Sequence, residues 1–167
     1  GYRSVILNIA RAAKWITQHP VKGIIASGGL ASVYDENAPK LPQEFYSLKL
    51  PNGSPVPILG ICYGMQTIAY HFGGHVERST PQYARAVISH DNSILFLGTT
   101  DQQTVWSSHG DSVVELPNGF QTIATYADTK GIAAIADEHG SVWGVQFHPE
   151  AEQTIYGKTI LRNFAEK

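Results

Sequence analysis

The sequence predicts an α/β domain: a mostly parallel sheet flanked by helices, with a β-rich second half. Three observations predict it. Apolar, β-branched runs alternate with helix-like stretches as far as Phe72. Short strand-like runs separated by turn residues then continue to Val145. Finally, the only cysteine stands in Gly60-Ile61-Cys62-Tyr63-Gly64, between an apolar run and a helix-like stretch. That is the strand–turn–helix layout of a nucleophile elbow, with sulfur in place of a serine oxygen.

In chain order, Ser4–Ile9 reads as a short strand and Ala10–Gln18 as a helix with Ala12, Trp15 and Ile16 on one side. His19-Pro20 ends the helix. Gly23–Ser27 is a second buried strand, running straight into Gly28-Gly29. Residues 31–54 are rich in Pro, Asn, Asp and Gly and read as a long surface loop with one helical turn. Val56–Ile61 is the elbow strand, and Met65–Phe72 the helix after it. His75–Glu77, Ala84–Ser89, Ser93–Leu97, Thr104–Trp106, Phe120–Tyr126, Gly131–Ala136 and Ser141–Val145 are strand-like. Tyr156–Ala165 closes the chain as a helix, with Ile160, Leu161 and Phe164 facing inward.

The 167 residues fit one domain, and 43% hydrophobic against 16% charged residues exclude a disordered chain. A formal net charge of −2 with scattered Lys and Arg leaves no basic stripe for nucleic acid or anionic lipid. A single cysteine excludes an internal disulfide framework and suits a reducing cytosol, so the expected location is cytoplasmic. No apolar run approaches a membrane span, and the first residues lack a signal-peptide layout.

Ligands on such sheets sit at the C-terminal ends of the strands. Ser27-Gly28-Gly29, Cys62 and His148 all follow strands and can therefore line one cleft. The start of a helix favours thiolate over thiol at Cys62; a buried structural cysteine fits the same run. A thiolate nucleophile needs a base, an orienting group for that base and donors for an oxyanion. Of the seven histidines, His19, His71, His75, His90 and His139 sit at helix ends or polar turns. His148 follows the last strand, and Glu150 stands two residues on, where a carboxylate can hold the imidazole in one tautomer. A packed histidine beside a solvated glutamate is the other reading. Ser107-Ser108-His109-Gly110-Asp111 reads as a polar turn whose backbone could bind a small polar ligand, or as a plain turn. The Tyr63 N–H is one natural oxyanion donor, and the Gly28-Gly29 turn is the other Gly-rich turn placed to supply one. The spacing of Cys and His offers no metal site, and there is no phosphate-binding Gly-rich loop.

Gly60-Ile61-Cys62-Tyr63-Gly64-Met65-Gln66, Gly144-Val145-Gln146-Phe147-His148-Pro149-Glu150 and Ser27-Gly28-Gly29 together resemble class I glutamine amidotransferase domains. Tyr63 with Met65, Ser108–Asp111 and Ser32–Pro39 resemble the GMP synthetase branch of that family. The resemblance runs from about Ser4 to Phe164 and implies a single glutaminase domain over residues 1–167. It implies Cys62, His148 and Glu150 as the catalytic triad and the N–H groups of Gly29 and Tyr63 as oxyanion donors. Gln66, Ser108, His109, Gly110 and Asp111 would hold the substrate, glutamine. Ammonia would pass to an ATP pyrophosphatase (GMP synthetase) domain or subunit, which uses ATP and magnesium. The glutaminase half would need no metal or organic cofactor.

The chain also departs from the family. A strand and helix that usually precede Ser4 are absent, so the resemblance implies an N-terminally truncated domain. Leu30 stands where proline is usual, and Ala151–Thr154 replaces a Val-Thr-His-Thr stretch. A γ-glutamyl hydrolase, an amidotransferase of another pathway and a silent glutamine-binding module are the alternatives on this scaffold.

Overall fold

A computed structural model describes residues 2–167. Its elements are α1 (Ile9–Ile16), β1 (Ile24–Ala26), β2 (Ile58–Ile61), α2 (Tyr63–His71), β3 (His75–His90), β4 (Gln102–Glu115), β5 (Phe120–Tyr126), β6 (Ile132–Asp137), β7 (Val142–Val145) and α3 (Gly157–Ala165). The strands form one seven-stranded sheet in the order β1-β2-β7-β6-β5-β3-β4.

The α/β class and the β-rich second half are as the sequence predicts, and the sheet is mixed. Parallel pairing is confined to β1 with β2 and β2 with β7. β3 pairs antiparallel with β4 and β5, and β6 pairs antiparallel with β5 and β7. The cause is connection length. Short links join β5 to β6 and β6 to β7, and short links produce hairpins, whereas a parallel return needs a crossover. The two parallel pairs are joined by long stretches of chain, from β1 to β2 and from β2 to β7.

β2 and β7 are buried along their whole length, which explains their continuous apolar sequences. Successive strand residues point to opposite faces. On β7, Trp143 packs edge-on against Phe164 of α3, with ring centroids 6.2 Å apart. Gly144, on the other face, lies under Met65 of α2: a methyl group there would be 2.6 Å from the Met65 Cγ. Thus α2 covers one face of the sheet and α3 the other. One core cluster joins Leu59, Trp143, Phe147, Ile160 and Phe164, and a second joins Met65, Ala69, Val76, Val113 and Ile135.

Three local expectations differ from the structure. Ser4–Asn8 form no strand: no sheet neighbour pairs with them, and Ile6 is fully exposed. Asn8 instead caps α1, its side-chain oxygen accepting the Arg11 N–H at 2.9 Å. Ser93–Leu97 contains a short 3₁₀ turn, Ile94–Phe96, because the Asp91 side chain bonds the Ser93 N–H at 2.9 Å and starts a turn. Ser107–Asp111 is strand rather than turn, lying wholly inside β4. The remaining elements form close to their expected places, and the loop of residues 31–54 holds one 3₁₀ turn, Gln43–Ser47.

Candidate active site

Cys62 sits between β2 and α2 with φ of 52° and ψ of −108°. A non-glycine residue with positive φ is uncommon and costs energy that the surroundings must offset. Here the flanking glycines allow it. A methyl group on Gly64 would stand 2.0 Å from the Ala26 carbonyl oxygen, and one on Gly60 would stand 2.5 Å from the Gly64 backbone. The turn closes only because neither side chain exists. The Cys62 N–H donates to the Val145 carbonyl at 2.8 Å, so the turn is tied to the end of β7. Tyr63 is the first residue of α2, where N–H groups have no partner within the helix.

His148 lies just past β7. Its Nδ1 is 2.8 Å from Glu150 Oε1, whereas its buried Nε2 makes no regular hydrogen bond among the described residues. Interaction with the Cys62 sulfur, and next the Glu150 hydrogen bond, push the imidazole up to about 10; burial opposes them. Burial pushes the Glu150 carboxyl up, but hydrogen bonds from His148 and from its own N–H, with the His148 charge, hold it below the usual carboxylate value. Gly28 packs close to both Cys62 and His148. A methyl group there would lie 3.2 Å from His148 Cε1 and 3.6 Å from Cys62 Cβ. On Gly29 it would lie 3.3 Å from the Tyr63 ring, so the glycine turn packs directly against the elbow.

The edge strand β4 sets the spacing of the whole cleft. Its Trp106 carbonyl accepts the His148 N–H at 2.9 Å. The Ser108 carbonyl is 3.6 Å from Cys62 Sγ, within hydrogen-bond range for sulfur. The Asp111 carbonyl accepts from Gln66 Nε2 at 2.8 Å. One extended segment thus touches His148, Cys62 and the next turn of α2. A turn at Ser107–Asp111 would break this row, and pairing with β3 keeps it extended. β3 absorbs the irregularity instead: its register shifts between Arg78 and Gln82, opposite Gly110.

His109 alternates inward from β4 and is buried. Its Nδ1 is 3.1 Å from the Asp111 carbonyl, which can only accept, so Nδ1 carries the proton. Nε2 then accepts from the Tyr126 hydroxyl at 3.3 Å, and that hydroxyl is 2.9 Å from Ser107 Oγ. Burial, foremost, lowers the His109 pKa. The ring is a neutral strut of the core, and what this segment offers the cleft is backbone together with Ser108 and Gly110.

The ten residues singled out in the sequence lie on the elbow, the first turn of α2, the glycine turn, β4 or the segment after β7. Sequence reasoning overlooked Thr154. Its hydroxyl donates to the His148 carbonyl at 2.6 Å and accepts the Trp106 N–H at 3.0 Å, riveting His148 to β4. Its only signal was a small hydroxyl residue buried in a polar segment, which sequence alone does not reveal. Among the described residues no three His, Cys, Asp or Glu side chains converge to hold a metal ion, and no helix is long and apolar enough to cross a membrane.

The class-I glutamine amidotransferase family model matches residues 1–167. The chain belongs to that family. A GMP synthase (glutamine-hydrolysing) of Staphylococcus carnosus is 47% identical to this amidotransferase chain over 147 residues, 87% of the chain and 27% of the relative. A protein of the same name from Pediococcus pentosaceus is 45% identical over 99% of the chain and 31% of its own length. The amidotransferase chain therefore spans less than a third of these relatives. Among solved structures, a Thermoplasma acidophilum protein provisionally described as a GMP synthase subunit superposes with a TM-score of 0.63 at 36% identity, covering 69% of this chain and 58% of that one. A glutamine amidotransferase from Thermotoga maritima, at 24% identity and a TM-score of 0.53 over 66% of this chain and 46% of its own, shares the fold.

Proposed function

We propose that this amidotransferase domain hydrolyses glutamine to glutamate and ammonia through Cys62, His148 and Glu150. The observation that carries the reading is the convergence of Cys62 and His148 beside Gly28, with Glu150 bonded to the far nitrogen of the imidazole. His148 Nε2 takes the thiol proton first, the state that its raised pKa favours, and Cys62 Sγ then attacks the side-chain carbonyl carbon of glutamine. The oxyanion is held by the N–H groups of Tyr63 and Gly29. His148 returns the proton to the amide nitrogen, the C–N bond breaks and ammonia leaves. A γ-glutamyl thioester remains. His148 then takes a proton from water, whose oxygen attacks the thioester, and passes it to the sulfur as the C–S bond breaks, releasing glutamate and the free thiol. Glu150 holds the ring in the tautomer that leaves Nε2 facing the sulfur. Gln66 and the 108–111 backbone hold the α-amino and α-carboxylate groups.

The ammonia is consumed by a cytoplasmic ATP-dependent synthetase domain or subunit that converts XMP to GMP. ATP and magnesium belong to that half. The names of the relatives support this assignment, as does the small share of their length that the chain spans. In a complex containing both halves, Cys62→Ala should abolish glutamine-dependent GMP synthesis and spare synthesis from added ammonium. Loss of both activities, with the complex intact, would contradict it.

A further inference from the structure

Two buried glutamines meet behind the cleft. Gln66 lies one helical turn beyond Cys62, its N–H donating to the Cys62 carbonyl at 3.1 Å, so its side chain leaves the same face of α2 as the nucleophile. Gln146 precedes His148 by two residues and is fully buried. Gln66 Nε2 donates to the Asp111 carbonyl at 2.8 Å and to Gln146 Oε1 at 3.4 Å. The backbone carbonyl can only accept, which fixes the Gln66 amide orientation and requires Gln146 to present its oxygen. Both Nε2 protons of Gln66 are then engaged, and the plane of its carboxamide is set from two directions. Its Oε1 makes no hydrogen bond among the described residues and is the acceptor left for a ligand.

Gln146 gives up stability in this arrangement. Its own Nε2 is buried and has no partner. An unpaired buried donor is costly, and an apolar side chain of the same shape would remove that cost. A polar side chain that leaves half its amide unsatisfied in a core is expected where a function requires the other half.

We propose that Gln146 is a positioning residue for substrate recognition: it holds the Gln66 carboxamide so that Gln66 Oε1 accepts from the α-ammonium group of glutamine. This rests on the reading of the cleft as a glutamine site. It assigns Gln146, which belongs to the segment after β7 that also bears His148, to binding rather than to chemistry.

The test compares two electrophiles on the chain together with its synthetase half. A diazoketone analogue of glutamine needs the amino-acid pocket, whereas iodoacetamide needs only a reactive thiol. Gln146→Met is unbranched, fits the same volume and lacks the acceptor; Gln146→Glu keeps an acceptor oxygen at the same place. For Gln146→Met the second-order rate of Cys62 labelling by the analogue should fall about tenfold or more. Iodoacetamide labelling should be unchanged, and the melting temperature should be equal or higher. Gln146→Glu should recover most of the analogue rate. Unchanged analogue labelling in Gln146→Met overturns the inference, as does a parallel fall with both electrophiles or a Gln146→Glu variant as slow as Gln146→Met. In each of these outcomes glutamine-protected labelling of the wild type still leaves the glutaminase reading standing. Wild-type protein that the analogue does not label, while iodoacetamide does, sinks that reading and the inference with it.

Discussion

The backbone N–H of His148 donates to the Trp106 carbonyl at 2.9 Å, which ties the proposed base to a strand distant from it in sequence. Thr154 doubles the tie by bonding the His148 carbonyl and the Trp106 N–H. Thr154→Val keeps the shape and removes both bonds, leaving a buried N–H and C=O without this partner. The expected cost is about 1–3 kcal/mol in chemical denaturation. Glutamine turnover should fall at constant KM, because the base loosens while the binding groups stay. Thr154→Ser should restore both. A wild-type stability and rate in Thr154→Val would remove Thr154 from this role.

Gly28 lies close to both the proposed nucleophile and the proposed base. In Gly28→Ala the new methyl group must push the His148 ring by a few tenths of an ångström, since it would start 3.2 Å from Cε1. The fold has room for this displacement and the chemistry does not. Turnover should drop about tenfold to a hundredfold, with the melting temperature little changed. Equal loss of stability and activity would mean that the turn supports the core rather than the site.

The elbow glycine behaves in the opposite way. Gly64→Ala drives a methyl group into the Ala26 carbonyl, at 2.0 Å, and rigid backbone cannot yield. A loss of about 3 kcal/mol is expected in urea unfolding. Gly110→Ala is the internal control, because nothing lies within 4 Å of its added methyl group. If Gly64→Ala unfolds at the wild-type midpoint, the close approach of α2 to β1 is wrong.

Protonation of the His148–Glu150 pair makes stability depend on pH. His148 is raised from 6.5 to about 10, so its contribution is complete below 6.5 and is lost as pH rises through about 10. Glu150 is held below its usual 4.5, so its contribution is present above 4.5 and is lost as pH falls through its lowered value. The stability difference between wild type and Glu150→Gln should therefore be largest between these limits, near pH 4.5–6.5, and shrink toward both extremes. Denaturation midpoints across that range check it, and a difference that grows steadily toward pH 10 would reverse the sign of the argument.

Local features of this site were legible in the sequence, and long-range ones were not. The elbow is written in adjacent residues: an apolar strand, glycines on both sides of Cys62 and a helix-forming stretch. His148 and Glu150 are two apart, so their pairing follows once His148 is placed at the end of a strand. Ser107–Asp111 misled because its Ser, Gly and Asp composition is that of a turn, yet pairing with β3 holds it extended. Tertiary pairing also decided the opposite case, since the β-branched run Ser4–Ile9 has no neighbour to pair with. The importance of Thr154 and Gln146 rests on contacts with residues 48 and 80 positions away, which no local pattern encodes.

The most direct test of the central claim is an intact-mass measurement after treatment with the diazoketone analogue of glutamine. A single adduct on Cys62, blocked by excess glutamine and absent in Cys62→Ala, is the predicted result. A folded protein whose Cys62 is not labelled, or is labelled equally with and without glutamine, would contradict an activated thiol inside a glutamine pocket.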